Sequence, residues 1–351
     1  MKKRRKKRVI VLIIEIFILM VLAATMFVMA KYDKFQKIEV NEENLEINDG
    51  IKQDGYTTVA LFGGDSRDGQ LEIGTHADTI MIAALNNKTK EIRIVSVYRD
   101  TITRQDDGTL KKANNAYFTG GPTAAINLLN RNFDLTIEDY VTVDFKVLAD
   151  TVDLIGGIEI SPTEEEVECM NQYLQETADV AKKKANFVEG PGNQIFDGVQ
   201  AVTYARIRKL AGGDYKRAER QRIVLQKIFE KIQDLSLTKL NHLVDTVLPN
   251  VSTSFSLSEL VGLASQAPKY KLGEMQGFPY RTVDTTLQET GSIVVPTGVV
   301  DNVEDLHKFL YPGEEYMPSE TVRDIAKEIE LYTGITKEDY LEDTITIQQE
   351  N

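Results

Sequence analysis

Thr79-Ile80-Met81-Ile82-Ala83-Ala84-Leu85 and Ile92-Arg93-Ile94-Val95-Ser96-Val97 are two β-branched, apolar runs, joined by Asn86-Asn87-Lys88-Thr89-Lys90. Apolar runs of six or seven residues around a polar turn of this kind predict a β-hairpin. Further strands are expected at residues 57–62, 140–145 and 158–160. Helical spacing of apolar residues predicts helices at 123–132, 147–154, 164–177, 198–204, 217–235, 257–267, 303–309 and 322–332. Strands interleaved with helices, together with one hairpin, give an α/β class with a mixed central β-sheet sandwiched between helices. No internal repeat and no Pro/Gly/Ser linker divides the chain after residue 55, which favours one large domain over two small ones.

Towards the N-terminus, residues 2–8 are all basic, and residues 9–30 form an apolar run broken only by Glu15 and Thr25. A run of that length suffices to span a bilayer and exceeds the apolar region of a cleavable signal peptide. The basic flank assigns residues 1–8 to the cytoplasm, 9–30 to a transmembrane signal-anchor, and the remainder to the outside of the cell. Residues 31–55, charged and poor in core residues, read as an extracellular stalk. The folded domain is expected over 56–315, followed by a C-terminal helix and polar tail over 316–351.

The 351 residues carry a formal charge of −13, and the part beyond the membrane is more acidic still. Such a surface excludes general nucleic-acid binding. The single cysteine, Cys169, excludes an intramolecular disulfide, so an exported domain of this size stands on its hydrophobic core. That combination suits the surface of a Gram-positive bacterium. One cysteine and three histidines (His76, His242, His307) give little support to a thiolate metal site or a Cys/His nucleophile pair.

Against this acidic background one segment is cationic. From Arg206 to Arg222 there are seven basic residues and two acidic ones. The helical stripe Val224, Leu225, Ile228 and Ile232, stepped backwards by threes and fours, reaches Gln221, Arg220 and Arg217. Arginines at the start of a core-facing stripe need a partner, and a helix start offers free N–H groups to an anion. Arg206 and Arg208, two apart in an extended chain, would direct two guanidiniums the same way, and the guanidinium fork suits phosphate oxygens. The alternative makes Asp214 an ordinary N-cap and the arginines a solvated first turn.

Other polar residues recur where strands end. Gly63-Gly64-Asp65 follows the first strand, Asp78 opens the second, and Arg99 closes the third; Lys112 lies in a loop entering a helix. Two carboxylates at adjacent strand ends can share a divalent cation, and beside phosphates a hard oxygen site reads as Mg²⁺ or Mn²⁺, with Asp65 and Asp78 as ligands. A turn-stabilising role for Asp65 is the simpler alternative.

Several blocks then come in a specific order: Gly64-Asp65-Ser66-Arg67, Ala77-Asp78-Thr79, Tyr98-Arg99-Asp100, Lys112…Asn114…Ala116-Tyr117…Gly120-Gly121, Val152-Asp153…Gly156-Gly157, Gly198…Gln200-Ala201…Tyr204-Ala205-Arg206-Ile207-Arg208, and Gly213-Asp214…Arg217…Arg220-Gln221. This series resembles the LytR–CpsA–Psr (LCP) proteins over residues 56–235, and more loosely to about 315. His76-Ala77 stands where the family usually has Arg-Ser, Tyr98 where it usually has Pro, and Ala113 where it has a larger aliphatic.

The resemblance implies an LCP-type α-β-α fold and a membrane-anchored phosphotransferase. Such an enzyme moves a glycopolymer (teichoic acid, capsule or related polysaccharide) from a polyprenyl diphosphate to peptidoglycan through a phosphodiester, releasing polyprenyl monophosphate. It also implies an apolar tunnel for the polyprenyl chain. Carried over, Arg99, Arg206, Arg208 and Arg217 form the diphosphate clamp, supported by Lys112, Gln221, Arg220 and Asp214; Asp65 and Asp78 hold the metal and help activate the acceptor hydroxyl. Two other readings use the same residues: a pyrophosphatase with water as acceptor, and a non-enzymatic lipid-binding regulator. The regulator has no need of the two acids.

Overall fold

The computed structural model describes residues 44–340, except 49, 52, 65–70 and 72. The apolar run at 9–30, most of the expected stalk and the tail after 340 lie outside the described residues; among those described, no helix is long and apolar enough to cross a membrane.

Among the described residues there are twelve strands: β1 Tyr56–Gly64, β2 Ala77–Asn86, β3 Glu91–Val97, β4 Ile102–Arg104, β5 Leu110–Lys112, β6 Asp139–Asp144, β7 Ile158–Ile160, β8 Gln194–Phe196, β9 Ser252–Thr253, β10 Lys271–Phe278, β11 Thr282–Leu287 and β12 Gly291–Pro296. The helices are α1 Asn114–Phe133, α2 Phe145–Leu154, α3 Glu164–Ala181, α4 Gly198–Arg206, α5 Gly213–Gln233, α6 Leu237–Val247, α7 Leu257–Gln266, α8 Val299–Leu310 and α9 Glu320–Thr333.

The expected hairpin forms. β2 and β3 run antiparallel with Ile82 opposite Val95, and β1 runs antiparallel to β2 with Val59 opposite Ala83. β6 lies parallel to β1 and β10 parallel to β3, giving a mixed six-stranded sheet of order β10-β3-β2-β1-β6-β9. Alternation sends Ala60, Phe62, Ile80, Ile82, Val95 and Tyr140 to one face, where they pack with α1, α8 and α9 into a single core. The opposite face is covered by α2, α4 and α5, which with α3 hold a second core around Met170, Leu174, Phe196 and Val202. On that face Leu61, Val141 and Val143 are apolar yet only half-buried, because they border an internal cavity.

Three expectations are corrected. Residues 158–160 do form a strand, but it pairs with β8 in a separate two-stranded hairpin outside the central sheet. The helix expected at 123–132 extends back to Asn114 through a break at Gly121 (φ 66°, ψ −157°) and Pro122. Residues 44–48 are docked on the domain and do not stand clear as a stalk: the Glu46 amide donates to Asn127 Oδ1 at 2.9 Å, and Asn48 Nδ2 donates to Asp134 Oδ1 at 3.0 Å. The helix expected at 322–332 forms as α9, and its Val322, Ile325, Ala326 and Ile329 belong to the first core.

Asp134, the left-handed residue ending α1, ties these pieces together. Its carboxylate accepts from Asn48, from the Tyr316 hydroxyl at 2.6 Å, and from both the amide and hydroxyl of Ser319, which caps α9. Beside it His307 is buried, 4 % exposed, with its ring stacked on Tyr316 at 3.6 Å and Nε2 set 2.9 Å from the Phe133 carbonyl. Burial outweighs that hydrogen bond and the nearby Asp134 charge, and lowers the His307 pKa to about 4. The unfolded chain therefore takes up a proton near the ordinary value of 6.5 that the folded chain refuses until about 4. Stability from this residue is complete above the upper value and is lost as pH falls through the window, by about 1.4 kcal/mol per pH unit. Denaturant titrations of the wild-type chain and of His307→Gln at neutral pH and in the lower half of that window should show the variant losing less; equal slopes would refute the assignment.

Candidate functional site

The start of β2, the end of β3, the β5–α1 junction and the loop between α4 and α5 meet at a groove of about 1100 Å³. Its charged wall is built from the recurring strand-end residues. Asp78, at the start of β2, pairs closely with Arg99 Nη1. Arg99 Nε lies 3.7 Å from Asp214 Oδ1 and 3.9 Å from Asp100 Oδ2. Asp100 also receives Lys112 Nζ at 3.2 Å and Arg208 Nη2 at 3.0 Å. Asp214, in the first turn of α5, pairs closely with Arg217 and lies 4.0 Å from Arg208 Nε. Four cations thus interlock with three carboxylates, and Arg208 keeps 49 % of its side chain exposed in the groove.

The cluster has more cation than its carboxylates satisfy. Arg217 is 5 % exposed, and burial together with the like charges of Arg99 and Arg208 holds its guanidinium below the ordinary range, against the opposing pull of Asp214. The buried Nε atoms of both Arg99 and Arg217 have no hydrogen-bond partner, and neither has Asp214 Oδ1 beside them. With four cations on three carboxylates and Arg208 half exposed, an anion's oxygens would complete the charge balance.

Behind the charged wall lies the apolar cavity, about 260 Å³. Leu61, Gly63, Met81 and Val143 line it from the sheet, with Leu148, Val202, Ala205, Val224, Leu225 and Ile228 from the helices. Asp78 borders the groove and Thr79 the cavity, so two consecutive residues of one strand separate the polar site from the apolar one. The stripe of α5 read from the sequence is what faces this cavity.

Most residues expected at the site come together: Asp78, Arg99, Lys112, Arg208, Asp214 and Arg217. Asp65 lies outside the described residues. Three are placed otherwise. Arg206 and Arg208 do not project together from extended chain. Arg206 is the last residue of α4, so its guanidinium turns to Thr177 Oγ1 at 3.2 Å and sits 4.4 Å from the Phe145 ring centroid, at the wall of the apolar cavity. Gln221 lines the same cavity. Arg220 is committed to the protein: it is buried, bonds Glu166 Oε1 of α3 at 2.7 Å, and donates to the Ile207 carbonyl at 3.3 Å. Asp214 is not an N-cap, since α5 begins at Gly213 after a left-handed Gly212. The reading from sequence gave no role to Asp100, the acid that gathers Lys112 and Arg208; its place directly after Arg99 at a strand end was the available signal.

A strand-end anion site opening beside an apolar cavity defines a class of protein that handles an amphiphilic phosphate, charged at one end and hydrocarbon at the other. The chain belongs to the LytR_cpsA_psr family, whose model matches residues 19–308. It is 27 % identical over 278 residues to a Bacillus subtilis protein named polyisoprenyl-teichoic acid–peptidoglycan teichoic acid transferase TagU, covering 75 % of this chain and 83 % of that one. Among solved structures it resembles TagT bound to LIIa-WTA (TM-score 0.60, 21 % identity, 78 % of this chain and 97 % of the other). It also resembles Bacillus subtilis TagT with bound octaprenyl pyrophosphate lipid (TM-score 0.55, 18 % identity, 78 % and 99 %).

Proposed function

We propose that this chain transfers a glycopolymer from a polyprenyl diphosphate to a peptidoglycan hydroxyl. The observation that carries the reading is the surplus of cation at the groove, Arg99, Lys112, Arg208 and Arg217 on Asp78, Asp100 and Asp214, set against an apolar cavity across the width of one strand. Diphosphate oxygens complete the first, and the prenyl chain fills the second. The name of the TagU relative and the lipid bound to TagT support the same assignment.

In this reading Arg208, Arg217, Lys112 and Arg99 hold the diphosphate in line with an acceptor hydroxyl. The hydroxyl oxygen forms a bond to the sugar-side phosphorus as the bond to polyprenyl phosphate breaks, and the hydroxyl proton ends on the released phosphate. Charge gathers on the leaving phosphate, where the arginines already stand, so little reorganisation is needed. Among the described residues no three His, Cys, Asp or Glu side chains cluster as a metal site. Mg²⁺, however, is commonly held by one or two carboxylates together with substrate phosphates, and Asp78 keeps a quarter of its side chain exposed in the groove. Asp78, with Asp65, would hold Mg²⁺ or Mn²⁺, which supplies neutralisation of the phosphate oxygens when bound. Residues 9–30 would anchor the chain with this site outside the cell.

Transfer is favoured over hydrolysis by the groove, whose volume and openness along β5, the β11–β12 turn and α9 far exceed what a water nucleophile requires. The full chain in detergent, given lipid-diphosphate glycan and Mg²⁺, is expected to form a phosphodiester-linked conjugate, resolved by mass, only when peptidoglycan oligomers are added. Sugar phosphate released equally without acceptor would overturn transfer and establish the pyrophosphatase.

A further inference from the structure

We propose that Ile73, His76 and Phe118 form a platform on which a pyranose ring of the acceptor glycan stacks, an inference that rests on the transfer reading above. Ile73 is 68 % exposed and Phe118 39 % exposed, and His76 is exposed beside them. The His76 and Phe118 rings lie nearly parallel, 11° apart, with centroids at 4.3 Å. Exposed apolar side chains gathered beside a polar groove suit a contact with a ligand that has an apolar face.

The three residues are held as one unit. Gly74, at φ 95°, donates its amide to the Phe118 carbonyl at 2.9 Å. Ile73 packs where Gly121 breaks α1, close enough that a β-carbon on Gly121 would lie 3.5 Å from Ile73 Cγ1. The turn before β2 is thereby fastened to the first half of α1, and His76 is laid flat on Phe118.

The platform is continuous with the phosphate site. Gly74, His76, Asp78 and Asn115 all border the groove. His76 and Asp78 both line the groove while Ala77 between them turns into the first core; Phe118 follows Asn115 by one helical turn on the same face of α1. A glycan strand lying along the groove with one hydroxyl at the diphosphate therefore passes directly over these rings. The carbon-bound hydrogens on one face of a pyranose are apolar and suit such a surface, while its hydroxyls remain in the polar groove. A lipid tail is a poorer occupant here, because the apolar cavity lies on the other face of the sheet.

The test titrates tetrasaccharides of the peptidoglycan backbone into the full chain in detergent micelles, with a separate titration of polyprenyl diphosphate. Phe118→Ala and His76→Ala are each expected to weaken tetrasaccharide binding about 10-fold, with Phe118→Tyr close to wild type. Melting temperature and diphosphate affinity should stay unchanged in all three, and in turnover assays the acceptor KM should rise while kcat holds. Wild-type binding of tetrasaccharide that neither alanine variant weakens would overturn the platform alone. A wild-type chain that binds no tetrasaccharide would overturn the transfer reading and the platform with it. Parallel loss of diphosphate binding or of melting temperature would assign these residues a structural role instead.

Discussion

Asp78→Asn is expected to slow transfer by about 100- to 1000-fold, the range typical for removing one preorganised charge from a transition state. The change is nearly isosteric and keeps an oxygen for Arg99, so the fold should tolerate it. Arg99 also retains Asp100 and Asp214 within 4 Å. What disappears is a negative charge at the junction of groove and cavity. If Asp78 helps hold a cation, the variant should also need more Mg²⁺ for half its maximal rate. Affinity for polyprenyl diphosphate without metal should hold or rise, because one carboxylate no longer competes for Arg99. Rates within a few-fold of wild type at saturating Mg²⁺ would remove Asp78 from the reaction.

Sequence patterning made the central sheet legible where a strand carried its own signal. β1, β2, β3 and β6 are runs of β-branched and aromatic residues, and the β2–β3 turn contains Asn86, whose side chain accepts from the amides of Lys88 and Thr89. β10 gave no such signal. It reads Lys271-Leu272-Gly273-Glu274-Met275-Gln276-Gly277-Phe278, and its glycines answer to neighbours far away in sequence. A β-carbon on Gly277 would fall 2.1 Å from the Tyr98 hydroxyl, so tertiary crowding chose glycine at a position where strand propensity would not. Tyr98 replaces the proline usual in the family, and its ring packs edge-on against Tyr215 at 4.6 Å, on the first turn of α5.

The site was legible as a set of residue types and less so as directions. Charge alone marked residues 206–222 as cationic, yet three of its arginines meet different partners. Arg208 goes to Asp100, Arg217 to Asp214 and Arg220 to Glu166. The acid opposite each decides whether a guanidinium serves ligand or fold. Glu166 stands on α3, where it also closes the capping box with Thr163, and nothing in the segment around Arg220 encodes that meeting. The divergence of Arg206 from Arg208 has a local cause: α4 ends at Arg206, and Ile207 turns the chain at φ −55°, ψ 123°.

Val143→Trp is expected to weaken polyprenyl-diphosphate binding by two to three orders of magnitude while leaving the fold intact or stabilised. Val143 is half-buried on β6, its side chain on the cavity wall, and its partner across the parallel pairing to β1 is Gly63. With no side chain at Gly63, an indole from position 143 can lie over that strand and into the 260 Å³ space. Filling an apolar void commonly adds about 0.5–2 kcal/mol to stability. The same volume is then closed to lipid. Burial is worth about 0.8 kcal/mol per methylene, so displacing one five-carbon isoprene unit costs about 3–4 kcal/mol, or about 100- to 1000-fold in Kd. A diphosphate bearing only a short chain should bind as before, since the guanidinium cluster is on the other side of Asp78 and Thr79. That contrast separates the lipid role of the cavity from general damage. A variant that melts lower and loses both ligands has been overpacked, and one that binds long-chain lipid normally shows that the prenyl chain goes elsewhere.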